Sequence, residues 1–173
     1  MWSLIDHAPA GRDRVLLEVL YTCGVRRAEA VGLRWCDLQP RPEAGQLSVF
    51  GKGGKSRAVL APVALWDDLL LLRGAATADE PVFASRRRAL VGTESALKRR
   101  VARPLDLSMI NLIVARSALA AGLGKKVSPR WMRHYLRRHA APLRLAFRSF
   151  GPQLFRNLSL SRRYHAISAQ VFQ

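Results

Sequence analysis

Between positions 11 and 22 the apolar side chains fall at Val15, Leu16, Val19 and Leu20, the spacing of one helical face. Gly24 interrupts that pattern, and a shorter helical stretch follows from Arg27 to Leu33, ending near Trp35. The periodicity then changes. Gln46–Phe50 and Arg57–Leu60 read as two short β-strands, joined by the glycine-rich turn Gly51-Lys52-Gly53-Gly54-Lys55. Pro62 opens another helix with Leu65, Leu69, Leu70 and Leu72 as its apolar stripe and Gly74 as its stop. Asp106 or Ser108 is placed to cap a helix running to Ala121. Ser128-Pro129 begins a basic helix from Arg130 to Ala140 by the serine-cap, proline-first pattern. Two further short helices are expected at Leu143–Phe150 and Ser161–Ala169, separated by Gly151-Pro152. The pattern predicts an α+β chain, mainly helical with a small antiparallel β-hairpin or sheet.

Composition adds one anomaly. A 173-residue chain with 49% hydrophobic residues can bury a core as one domain, yet it carries 29 Lys or Arg against 12 Asp or Glu, a net charge of +17. All the acids lie between Asp6 and Asp106, so Leu107–Gln173 holds twelve basic residues and none of opposite sign. Such a field repels itself unless a polyanion neutralises it, which points to nucleic acid held through its phosphates. No 18-residue apolar run and no signal-peptide order at Met1–Asp6 support a membrane partner, so a cytoplasmic location is the expectation. Cys23 and Cys36 have neither disulfide-framework nor zinc spacing, and His134 and His139 lack a third ligand, so no metal is expected. Residues 86–103, rich in Arg and Lys with Glu94 as the single acid, read as a basic loop or insertion.

The turn at Gly51–Ser56 invites a phosphate-loop reading. Such a loop requires glycine five residues before Gly54-Lys55-Ser56, where Val49 stands, and it must open a helix rather than join two strands. Nucleoside triphosphate binding is therefore disfavoured. Two other stretches change how the turn is read. Cys23-Gly24-Val25-Arg26-Arg27-Ala28-Glu29 followed by Gly32-Leu33-Arg34-Trp35-Cys36-Asp37-Leu38 resembles the first active-site box of the tyrosine site-specific recombinases, the phage-integrase and Xer-type family. Gly51-Lys52-Gly53-Gly54-Lys55-Ser56-Arg57 is similar to that family's lysine-bearing β-hairpin, and Ser128-Pro129-Arg130-Trp131-Met132-Arg133-His134 to its third box. Asn157–Tyr164 looks like the box that ends in the nucleophilic tyrosine, with Tyr164 thirty-one residues after Arg133. The four elements occur in family order across nearly the whole chain.

The resemblance implies a tyrosine-recombinase catalytic domain over residues 1–173, starting without the helical N-terminal domain that clamps DNA in such proteins. It places Arg26 and Arg133 on the scissile phosphate, Lys52 as general acid and Tyr164 as nucleophile, with Glu29 buttressing an arginine. The chemistry suits these residue types. A tyrosine hydroxyl can store the cleaved bond as a phosphotyrosine, two guanidiniums can hold the non-bridging oxygens, and a lysine can protonate the leaving 5′ oxygen. No cofactor is implied. Lys55, Arg57, Arg137, Arg138, Arg162 and Arg163 are expected to bind the DNA backbone. Two positions depart from the family pattern: Arg130 stands where a histidine is usual, and Phe155 where histidine or tryptophan precedes the tyrosine. A guanidinium cannot accept the tyrosine's proton, and phenylalanine offers the phosphate no donor. His134 is expected to be structural.

The function implied is cleavage and rejoining of double-stranded DNA through a 3′-phosphotyrosyl intermediate, in recombination or integration, with homo-oligomers assembled on the DNA. The alternative is a decayed relative that only binds DNA, a reading that Arg130 and Phe155 favour. A basic helical RNA-binding protein would account for the charge but not for four ordered boxes. A type IB topoisomerase shares the chemistry but not the integrase-style first box.

Overall fold

The computed structural model describes residues 2–42, 44–86, 89–91, 99–123 and 127–139. The helices expected at Leu143–Phe150 and Ser161–Ala169 lie outside the described residues. The order begins with α1 (Trp2–Asp6), α2 (Arg12–Thr22) and α3 (Arg27–Gly32), followed by strands β1 (Leu38–Arg41), β2 (Ala44–Phe50) and β3 (Ser56–Ala61). Next come α4 (Val63–Arg73), β4 (Ala89–Val91), β5 (Arg99–Val101), α5 (Leu107–Ala120) and α6 (Pro129–His139). The class is the α+β arrangement expected, helices around a small antiparallel sheet.

The centre of the molecule is α2. Six consecutive residues from Val15 to Leu20 are buried, because α1, α3, α4 and α6 all pack against this helix. A one-faced helix expected from the periodicity is thus enclosed on its other side as well. That enclosure reaches Glu18, where burial pushes the carboxyl above its usual range despite a 3.1 Å hydrogen bond from Arg14 Nε. Leu4, Ile5, Phe83, Ile110, Val114 and Met132 complete the core around α2 from four other parts of the chain.

The sheet has order β1-β2-β3, antiparallel throughout. β2 alternates inward at Leu47 and Val49, and β3 is in register with it from Gly45↔Ala61 to Phe50↔Ser56. The connection is a single 3-10 turn, Lys52–Gly54, with Gly53 and Gly54 at φ 78° and 72°. Glycine at both positions lets two successive left-handed residues close the hairpin at little cost. β1 was not expected: its Gln39, Pro40 and Arg41 are exposed, and the proline is accommodated because the strand is an edge.

One further difference concerns side-chain placement. In α4, Leu65 and Leu69 are buried as expected, but Leu70 is exposed and Leu72 only half-buried. Residues 86–103, expected as a basic loop or insertion, contain the antiparallel pair β4–β5, with Ala89↔Val101 and Val91↔Arg99 in register. The base of that ribbon is secured by Ser85 N–H donating to Arg103 O at 2.6 Å and Leu105 N–H to Phe83 O at 2.9 Å. α5 starts where expected, with the Asp106 carboxylate accepting from Ser108 N–H at 2.8 Å. Ile110, Ile113, Val114 and Ala118 face the core, while Met109, Leu112 and Leu119 form an exposed apolar row on the opposite side, with Arg116 between them.

Candidate active site

Arg26 is the residue that ends the loop after α2 and N-caps α3. Its extended backbone (φ −78°, ψ 153°) turns the side chain outward, and Glu29 one turn on reaches back to accept from Arg26 N–H at 2.7 Å. The other Glu29 oxygen takes Arg26 Nη1 at 2.6 Å. The carboxylate also receives Arg57 Nη2 from β3 at 2.9 Å, so one buried acid joins two arginines that are 31 residues apart in sequence. The Glu29 side chain is 3% exposed, whereas Arg26 remains 56% and Arg57 38% exposed. Burial alone would raise this carboxyl. The hydrogen bonds from Arg26 and the charges of Arg57 and Arg26 together outweigh it, and hold the group ionised below its usual range.

Arg26 opens onto a cleft of about 710 Å³ that it shares with Arg27, Asn111, Ser128, Arg130, Arg133 and His134. α6 supplies the last three. Its first turn is set by Ser128 Oγ accepting from Trp131 N–H at 3.2 Å, with Pro129 at the first helical position. Met132 is fully buried and fixes the rotation of the helix, so Arg130, Arg133 and His134 border the opening beside it. The described lining residues thus include four guanidiniums and no carboxylate, which suits an anion with several oxygens.

The structure therefore brings Arg26, Arg130 and Arg133 of the expected set to one cleft, with Glu29 directly behind Arg26. His134, expected to be structural, also lines it. Lys52 has its backbone in the hairpin turn, and Gly51 beside it passes the site closely: a Cβ there would lie 3.6 Å from Glu29 Oε1 and 3.9 Å from Arg26 Nη1. Lys55 is exposed on the same turn. Arg57, expected among the DNA-backbone contacts, is 38% exposed, bonds to Glu29, and is not among the cleft's described lining residues. Arg137 and Arg138 have their backbones in α6. Phe155, Arg162, Arg163 and Tyr164 lie outside the described residues.

Arg27 and Asn111 were missed from sequence. Arg27 Nη1 donates to Asn111 Oδ1 at 3.0 Å, joining α3 to α5 at the rim of the cleft. The available signal was a polar asparagine flanked by Ile110 and Leu112 in α5.

Residues 3–148 match the family described as the phage integrase family. The tyrosine recombinase XerC of Xylella fastidiosa strain M23 is 32% identical over 132 residues, covering 74% of this chain and 39% of that protein. The tyrosine recombinase XerC of Xanthomonas axonopodis pv. citri strain 306 is 34% identical over 137 residues, covering 76% of this chain and 39% of that one. Among solved structures, the XerA recombinase superposes with a TM-score of 0.61 at 23% identity, over 98% of this chain and 62% of that one. The XerH site-specific recombinase bound to its difH substrate, a pre-cleavage complex, gives 0.59 at 18% identity, over 98% of this chain and 51% of that one. The chain belongs to the phage integrase family. It spans about 39% of the length of the curated relatives it matches, and its fold is that of the XerA and XerH structures.

Proposed function

We propose that residues 1–173 form a catalytic domain that cleaves and rejoins double-stranded DNA through a 3′-phosphotyrosyl intermediate, in site-specific recombination or integration. The observation that carries this reading is the meeting of Arg26, Arg130 and Arg133, from two separate boxes, on one cleft with no carboxylate among its described lining residues. Arg26 and Arg133 hold the non-bridging oxygens of the scissile phosphate and stabilise the extra charge of the pentavalent transition state. Glu29 keeps Arg26 aimed. The Tyr164 oxygen attacks phosphorus, the bond to the 5′ oxygen breaks, and Lys52 gives that oxygen its proton. Arg130 is permanently protonated, so it adds a phosphate contact and leaves the tyrosine's proton to solvent. A 5′ hydroxyl from a second strand reverses the sequence and regenerates tyrosine, which is why no external energy source is needed.

XerC relatives are tyrosine recombinases, and the XerH structure holds that protein on its difH substrate; both support DNA as the partner here. Lys55, Arg137, Arg138, Arg162 and Arg163 are proposed to meet the backbone away from the scissile phosphate, in homo-oligomers assembled on DNA. No helix among the described residues is long and apolar enough to cross a membrane, and the cytoplasm is the proposed location.

The test is adduct trapping with a library of nicked duplexes of randomised sequence, in which the released fragment diffuses away. The wild-type chain should form a denaturation-resistant adduct whose peptide map identifies Tyr164. Tyr164→Phe should abolish it while duplex affinity stays within about twofold, and Arg26→Ala or Arg133→Ala should slow it by roughly 10² or more. Absence of any wild-type adduct, under conditions that trap one from an active XerC, would overturn the cleavage reading.

A further inference from the structure

Two arginines hold Glu29, and only one of them borders the cleft. Arg26 is among its described lining residues; Arg57 is not, and it bonds the other carboxylate oxygen from the strand that leaves the lysine turn.

Arg57 pairs with Val49 across the β2–β3 ladder, and Phe50↔Ser56 is the last rung before the turn. Gly51 N–H then donates to Lys55 O at 2.8 Å and closes the neck of the hairpin. On the β2 side, Gly51 runs close by: a Cβ built on it would lie 3.6 Å from Glu29 Oε1 and 3.9 Å from Arg26 Nη1. On the β3 side, Arg57 Nη2 donates to Glu29 Oε2 at 2.9 Å. The hairpin neck is therefore tied to this carboxylate from the β3 side, with the β2 side running beside it, and the carboxylate belongs to the helix whose cap is Arg26. A turn with two left-handed glycines has little stiffness of its own, so its direction depends on how its base is held.

We propose that Arg57 is a positioning residue: its bond to Glu29 fixes the hairpin turn that carries Lys52 against Arg26, so that leaving-group proton and phosphate clamp stay in register. The inference rests on the roles given above to Lys52 and Arg26. It goes beyond them in assigning Arg57 an action through Glu29 rather than on DNA.

Two measurements on the full chain test it. Amide hydrogen exchange needs no catalysis. Arg57→Met should speed exchange at Gly51 by roughly tenfold or more while amides in α2 keep their protection, and unchanged Gly51 exchange overturns the proposal. The second compares adduct formation on nicked duplexes bearing either an ordinary scissile phosphate or a 5′-bridging phosphorothiolate, whose thiolate leaves without needing a proton. At saturating DNA, Arg57→Met should be slowed roughly tenfold or more on the oxygen substrate and largely restored on the sulfur one. Arg57→Lys, which can still donate to Glu29, should recover part of the rate, and Arg26→Ala should not be restored by sulfur. An Arg57→Met defect in affinity and salt slope, with the saturated rate unchanged, makes Arg57 a phosphate contact and overturns the proposal. So does a slowed rate that sulfur fails to restore. If the wild-type chain forms no adduct on either substrate, it is the catalytic reading that fails, and the exchange experiment still decides whether Arg57 holds the hairpin.

Discussion

Glu29 keeps a negative charge where water scarcely reaches, and it does so because three donors converge on its two oxygens. Its folded-state carboxyl lies below the ordinary glutamate range, so the stability it contributes is fully present above the unfolded value, about pH 4.3. That contribution is lost as pH falls through the lower folded value. Glu29→Gln should cost on the order of 1–3 kcal/mol at neutral pH, short of a fully buried pair because both guanidiniums keep access to water. Urea unfolding from pH 7 to pH 3 should show the gap between wild type and Glu29→Gln closing below about pH 4; a gap constant with pH would disprove the charge's role. Arg26, Glu29 and Arg133 were legible because short motifs fix their spacing. Arg57 was legible only as a cation near a turn, since its partner lies 28 residues away and nothing local announces it. Asn111 stood out only as a polar residue between Ile110 and Leu112, its partner Arg27 lying 84 residues upstream.

At the scale of elements, the site depends on where the sheet sits against the helices. β2 packs on both α3 and α4, and at Gly45 the strand runs so close to α4 that a Cβ would collide with the Trp66 ring. Gly45→Ala should therefore force Trp66 outward and cost about 1–3 kcal/mol, as overpacking does. The expected reading is a lowered urea midpoint with a shifted tryptophan emission, and retention of wild-type values would show that the ring yields freely. Glycine at this position reads in sequence as a weak strand residue, and only the packing reveals that it makes room. The same limit explains the other misreadings. Four successive leucines, Leu69–Leu72, fit more than one helical stripe, and the rotation of α4 over the sheet selects Leu69 for the core while leaving Leu71 83% exposed. β1 carries no alternation to detect, because its side chains are largely outside and only its backbone joins the sheet. The strands flanking the hairpin, α5 with its Asp106 cap and α6 with its Ser128 cap were legible because local hydrogen-bonding chemistry sets them.

For the whole molecule, charge was the feature most readable from sequence and surface shape the least. The +17 surplus follows from counting, whereas the row of Met109, Leu112 and Leu119 along α5 emerges only once Ile110, Ile113 and Val114 have taken the inward face. The two features set the colloidal behaviour of the protein between them. At low ionic strength, like-charged molecules repel over a Debye length of tens of ångströms, and the row is kept from meeting its copies. Near 1 M salt that length shrinks to about 3 Å, while apolar attraction persists or strengthens. Washing the protein free of nucleic acid with concentrated salt removes both the polyanion and the repulsion in one step. Dynamic light scattering on nucleic-acid-free protein should then show a larger hydrodynamic radius in 1 M than in roughly 0.1 M sodium chloride, and Leu119→Glu should suppress the increase. A radius that does not change with salt would mean that this exposed row is too narrow to hold two molecules together.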